Sequence, residues 1–218
     1  MALLNYSPPT KPYLEIIYQD DSLVVFNKPS GLLSVRGKAT EHQDSLQARA
    51  ESVWPQVGVV HRLDMSTSGL MVMALNKDAL RALNRQFQQR ETEKCYQAIV
   101  WSKPKESSGT IELPLIVDWP NRPKQKVCFD QGKPSETRWQ LLESDGEKSR
   151  VALIPITGRS HQLRVHMASI GHPILGDKFY AHQQAFELAP RLNLHAKSLS
   201  LTHPVSKKRL DFESPVPF

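Results

Sequence analysis

The sequence predicts an α+β fold: a mixed, mainly antiparallel β-sheet with flanking helices. Segments with strand character outnumber helical ones, and the two kinds do not follow each other in a regular βαβ order. Pro and Gly are scattered between segments rather than gathered into a linker, which argues for one domain over all 218 residues, with positions 1–13 as an irregular N-terminal segment. Near the N-terminus, LEIIY and LVVFNK are rich in β-branched and aromatic residues and flank the turn-forming QDDS, so they read as strand, turn, strand. Lys28-Pro29-Ser30-Gly31 stops the second strand. VVHRLD and LMVMAL read as further extended segments parted by the turn-prone STSG. In NKDALRALNRQFQQR, Leu80, Leu83 and Phe87 share one helical face. KCYQAIVW, SETRWQLL and SRVALIPI are strand-like. TGRSHQLRVHMASIG is helical, with Leu163, Met167 and Ile170 on one face and Gly171 as its stop. LHAKSLSLTHP and KRLDFESP close the chain as strands.

Composition narrows the function classes. A hydrophobic content of 39% with 23% charged residues is that of a soluble globular protein. No apolar run reaches the ~20 residues of a membrane span, and the N-terminus has neither a signal-peptide core nor a basic leader, so a cytoplasmic location is expected. Cys95 and Cys128 are isolated and read as reduced thiols. Lys plus Arg exceed Asp plus Glu by 28 to 22, a net charge of +6 that favours a polyanionic partner such as nucleic acid. Arg122, Lys124, Lys126, Lys133 and Arg138 lie in one stretch, interleaved with Trp119, Phe129 and Trp139. That pattern suits an RNA-facing loop, and equally a solvated hairpin edge guarded by lysines.

Within HRLDMSTSG, strand alternation places Arg62 and Asp64 on one face and His61 and Leu63 on the other. A guanidinium beside a carboxylate is a catalytic arrangement or a structural ion pair, and spacing alone does not choose. His61, opposite Asp64, reads as a core histidine. None of the eight histidines forms HExxH, and His161 and His166 turn to different faces of their helix. GxSxG, P-loop and GxGxxG patterns are absent from the sequence, which removes the usual warrants for a serine hydrolase, an NTPase or a dinucleotide-binding enzyme.

The segments DDSLVVFNKPSGLLS, GVVHRLDMSTSGLMVMALN, KCYQAIVW, NRPKQKV and PITGRSHQLRVHMASIGHPILGDKFY resemble, in that order, the motifs of the RluA-type pseudouridine synthases. The resemblance runs from about Leu14 to the C-terminus and is closest to members that act on both ribosomal and transfer RNA. It implies the pseudouridine synthase catalytic fold, with an RNA-binding cleft across the sheet and without the S4-like domain of several relatives. It implies that Asp64 is the essential aspartate and that Arg62 fills the space left by a flipped base. Tyr96 then stacks on the uracil, Leu163 packs against the base, and Arg164 pairs with the catalytic carboxylate. Lys28 matches a motif lysine and is a candidate cleft residue, or a strand-end surface lysine. Arg122, Lys124 and Lys126 are candidates for binding phosphates.

The expected substrates are a large-subunit ribosomal RNA site and a transfer-RNA anticodon stem-loop. The reaction breaks the N1–C1′ bond, turns the base and joins C5 to C1′. It neither gains nor loses atoms, so no cofactor or metal is expected. A monomer without an obligatory protein partner is also expected. Two rivals are a non-catalytic RNA-binding module, which could lose Asp64, and a metal-dependent nuclease, which would want clustered carboxylates. A synthase acting on a single RNA class is the nearer alternative.

Overall fold

A computed structural model describes residues 6–218. The described chain gathers into two compact units. One, here the terminal unit, comprises the chain up to Lys94 together with Ala196–Pro217; the other, the central unit, comprises Cys95–His195 with Phe218. The expected irregular segment lies partly outside the described residues, and positions 6–13 hold neither helix nor strand. Tyr6 nevertheless docks there: its hydroxyl accepts from Leu33 N–H (2.9 Å) and donates to the Asp44 carbonyl (2.8 Å). Among the described residues, no helix is long and apolar enough to cross a membrane.

The terminal unit holds β1 (Ile16–Gln19), β2 (Leu23–Lys28), α1 (Leu46–Glu51), β3 (Gly58–Val59), β4 (Ser68–Ala74) and α2 (Lys77–Gln89). The central unit holds most of β5 (Glu93–Trp101), then β6 (Ser108–Ile111), β7 (Leu115–Val117), β8 (Gln125–Val127), β9 (Thr137–Ser144), β10 (Lys148–Pro155), α3 (Gln162–Ser169) and α4 (Gln183–Glu187). The chain re-enters the terminal unit along β11 (Leu194–Thr202) and ends with β12 (Arg209–Glu213).

In the terminal unit β1, β2, β4 and β11 are successive neighbours, with β3 on β4 and β12 on β11. In the central unit the order is β5-β10-β9-β6, with β7 and β8 a separate hairpin. The β1–β2, β2–β4, β3–β4, β11–β12, β5–β10, β9–β10, β6–β9 and β7–β8 pairs are all antiparallel. The α+β class with a mixed, mainly antiparallel sheet and flanking helices is therefore the observed one.

Every residue of β4 is buried, which explains why SGLMVMA reads as a continuous apolar run rather than an alternating one. Asn76 caps α2 by accepting from Ala79 N–H (2.9 Å), and Leu83 packs with Leu23, Val25, Leu70, Val72, Leu199 and Phe212. In the central unit Ala98, Val100, Trp139, Val151, Leu153 and Met167 form the core.

Two local departures matter for the site. VVHRLD, expected as a strand, leaves the ladder after Val59, and residues 60–67 are irregular. STSG, expected as a turn, instead opens β4 at Ser68, the turn falling at Met65 and Ser66. Gly69 makes this possible. Its φ of +113° and its packing, in which a Cβ would lie 2.4 Å from the Ala196 carbonyl oxygen, admit no side chain.

Candidate active site

In the terminal unit the segment carrying Arg62 and Asp64 lacks a β-ladder, so its backbone polar groups need other partners. The bend at residues 28–34 supplies them. Ser34 Oγ donates to the Leu63 carbonyl (2.7 Å) and accepts from Leu63 N–H (3.0 Å). Gly31 N–H donates to the Met65 carbonyl (2.8 Å), and Ser30 Oγ to the Ser66 carbonyl (2.7 Å). Lys28 Nζ donates to the carbonyls of Pro29 (3.0 Å), Leu32 (2.7 Å) and Met65 (3.1 Å). Thr67 N–H closes the turn on the Asp64 carbonyl (3.1 Å). The KPSGLLS and HRLDMS motifs are thus one structure, two bends stitched together.

Lys28 is 0% exposed, so the alternative of a strand-end surface lysine is corrected. Its ammonium neutralises carbonyl dipoles inside the stitch. Asp64 is half-buried and Arg62 exposed. The side-by-side Arg62–Asp64 pair expected from alternation is not formed, because the chain is not a strand there, and Arg62 makes no ion pair among the described residues. Leu63 points inward, at 7% exposure. His61 stacks on Phe87 (centroids 4.7 Å apart, 19° between planes), and its Nε2 accepts from Val72 N–H (3.1 Å). Burial pushes its pKa down to about 3, with the Lys94 ammonium adding to the effect, so the ring is a neutral structural acceptor.

In the central unit Tyr96 stands on β5 opposite Leu153 of β10, half-buried against the core. Residues Gln162–Met167 of α3 are all buried. The helix begins at Gln162 rather than at the TGRS expected to open it, because Gln162 ties its start to neighbouring backbone. Its side chain donates to the Glu136 carbonyl and the Thr137 hydroxyl (both 2.9 Å) and accepts from Thr157 Oγ1 (2.7 Å) and Arg159 N–H (3.0 Å). His166 sits between Thr137 Oγ1 (2.9 Å), Ser135 Oγ (3.2 Å) and the Leu113 carbonyl (3.0 Å). Its pKa is lowered by burial, which the Leu113 hydrogen bond opposes.

Leu163 is 7% exposed and packs into the core cluster. Arg164, 2% exposed, is gripped by a carboxylate not expected from the sequence: Nε and Nη2 meet Asp177 Oδ2 (2.7 Å) and Oδ1 (2.6 Å). Asp177 Oδ1 also accepts from Phe179 N–H (2.9 Å), while the Phe179 and Tyr180 rings lie 5.2 and 5.1 Å from the guanidinium carbon. A bidentate, charge-assisted pair of this kind fixes the plane of the guanidinium. The preceding Gly176, with φ +71°, enables the approach, since a Cβ there would fall 1.9 Å from the Arg191 carbonyl oxygen. The available signal was an arginine on an otherwise buried helix, which demands a counter-charge, together with the acid in LGDKFY.

The part of the basic stretch with Arg122, Lys124 and Lys126 forms the β7–β8 hairpin, while Arg138 lies on β9. Arg122 and Lys126 are exposed and Lys124 is half-buried, whereas Trp139 belongs to the core and not to the basic face. Gln125 N–H donates to Tyr180 Oη (2.8 Å), which also meets His161 Nδ1 (2.6 Å), linking β8 to the start of α3.

The chain belongs to the RNA pseudouridylate synthase family, whose pattern matches residues 22–169. It is 54% identical over 219 residues, spanning all of both chains, to the dual-specificity RNA pseudouridine synthase RluA of Escherichia coli (strain K12). Among solved structures it is similar to human RNA pseudouridylate synthase domain containing 1, with a TM-score of 0.80, 31% identity, and 97% of this chain and 87% of that one covered. The human domain containing 4 protein gives a TM-score of 0.75 at 28% identity, with 93% and 88% covered. This chain is accordingly an isomerase that converts uridine in RNA to pseudouridine.

Proposed function

We propose that this enzyme modifies a uridine in large-subunit ribosomal RNA and another in a transfer-RNA anticodon stem-loop, acting as a cytoplasmic monomer whose whole chain forms one catalytic domain. The supporting observation is the full-length 54% identity to a synthase whose name states dual specificity. Asp64 is the catalytic carboxylate. It attacks C1′ of the ribose or C6 of the ring, or takes a ribose proton in an elimination route. Tyr96 supplies a platform for the detached uracil and a hydroxyl near the departing C5 proton. Leu163 packs against the base, and Arg164 favours the ionised form of the catalytic carboxyl. Atoms and electrons balance within the nucleotide, so the reaction needs no cofactor.

Extruding the base costs on the order of a few kcal/mol, less from a loop than from a helix, and Arg62 occupies the vacated stack. Arg122, Lys124 and Lys126 hold phosphates. The test is a comparison of pseudouridine maps from cells with and without the gene. Loss of one ribosomal and one transfer-RNA site is expected. Loss from one RNA class alone would reduce the reading to single specificity, and identical maps would overturn it.

A further inference from the structure

Trp119 is an exposed aromatic at the tip of the basic hairpin, and, unlike the more exposed Phe129 beyond β8, it is braced by a neighbouring cation. It follows Asp118 at the end of β7, with 61% of its surface open to solvent. The Arg122 guanidinium lies 4.0 Å from the indole centroid and braces the ring. The loop beneath is closed by three main-chain hydrogen bonds: Asp118 N–H to the Lys124 carbonyl (2.9 Å), Asn121 N–H to the Asp118 carbonyl (2.9 Å) and Lys124 N–H to the Asn121 carbonyl (3.0 Å). The local acid is already engaged, since Asp118 accepts from Asn121 Nδ2 (2.8 Å) and faces Lys126 Nζ (3.6 Å). What the tip offers is therefore a braced aromatic ring amid net positive charge. Phosphate binding explains the cations and leaves the indole unexplained.

We infer that Trp119 is a stacking platform for an unpaired nucleobase of the RNA substrate, held by the hairpin beside the phosphates that Arg122, Lys124 and Lys126 neutralise; this rests on the RNA-binding role proposed above. Any base has a π-face, so the stack discriminates unpaired from paired nucleotides rather than one base from another. An RNA is favoured over a protein partner because the tip's charge complements a polyanion.

The test is a binding titration of the full-length enzyme with a labelled RNA stem-loop at several salt concentrations, using wild type, Trp119→Ala and Trp119→Phe. A matched stem-loop with abasic loop nucleotides is the second probe. Trp119→Ala should weaken binding of the intact loop by roughly five- to a hundredfold, the range of a single stacked base. Trp119→Phe should recover most of that. The slope of log affinity against log salt should not move, because no charge is removed, and the abasic probe should bind wild type and Trp119→Ala alike. Equal binding of the intact loop by wild type and Trp119→Ala would overturn the inference, leaving a solvent-facing or protein-facing tip. An equal loss on both probes would also overturn it, showing that the ring only supports the hairpin. Tritium release by the wild-type sample separates the two readings: normal turnover with no Trp119 effect removes only the platform, and absent turnover with a Trp119 effect removes only the proposed reaction.

Discussion

The bonds that shape the Arg62–Ser66 bend come from Lys28, Ser30, Gly31 and Ser34, and Asp64 itself gives the turn a main-chain carbonyl. Exchanging its carboxyl for an amide leaves that stitching in place. Asp64→Asn, an isosteric change, should leave folding and RNA binding largely intact while losing at least about a hundredfold in turnover, measured as tritium release from 5-tritiated uridine RNA. Near-normal release would end the proposed mechanism. Tyr96→Phe keeps the ring and removes the hydroxyl, so it should bind normally and turn over slowly; equal rates would leave only stacking. His61 gives a pH prediction. Its folded-state pKa, about 3 against an ordinary 6.5, means that the unfolded chain takes up a proton between those values and the native ring does not. The stability it contributes is present above about pH 6.5 and lost as pH falls toward 3. His61→Gln, which keeps an acceptor but does not titrate, should flatten the stability–pH curve in that window by chemical denaturation; an unchanged slope would show the ring to be protonated in the fold. At this scale a specific motif singles out Asp64 and Arg62 as candidates. The sequence hid Asp177, which lies thirteen residues beyond Arg164 in the same motif and is found only by asking what neutralises a buried arginine.

Among elements, the helix α2 and the strands β1, β2, β5, β9, β10, β11 and β12 were legible because periodicity and turn residues agree within each. The 60–67 segment was not. Its alternation satisfies a strand pattern, but its hydrogen bonds go to the side chains of Lys28, Ser30 and Ser34 and the Gly31 N–H in a distant bend, and no local rule reports that. Lys28 defied its sequence pattern for the same reason. Replacing it by Met removes an ammonium from three carbonyls inside the fold, so Lys28→Met should cost about 3 kcal/mol of unfolding free energy in urea denaturation and lower turnover along with it. A variant as stable as wild type would mean that the stitch is not what holds the bend.

For the molecule as a whole, the modest charge of +6 predicts affinity for RNA that falls with salt. Removing Arg122, Lys124 and Lys126 together should flatten log affinity against log salt by ~0.7 to 0.9 for each phosphate no longer neutralised. The weakening should be nearly equal for all RNAs, since phosphates carry no sequence. An unchanged slope would place the RNA path elsewhere. The fold class was readable because strand number and connection order suffice for it. The grouping of the chain into two compact units was not, because the chain passes between them within β5 and β11 and leaves no linker to mark the boundary.

The stitched bends also bear on how freely this sequence can vary. Within the stitch Lys28, Ser30, Gly31 and Ser34 bond to peptide carbonyls, which every amino acid carries. Met65 and Ser66 can therefore drift under selection without losing those bonds, while positions 28, 30 and 34 cannot. A saturation library scored for pseudouridine formation should show constrained residues remote in sequence from Asp64 and tolerant ones immediately beside it.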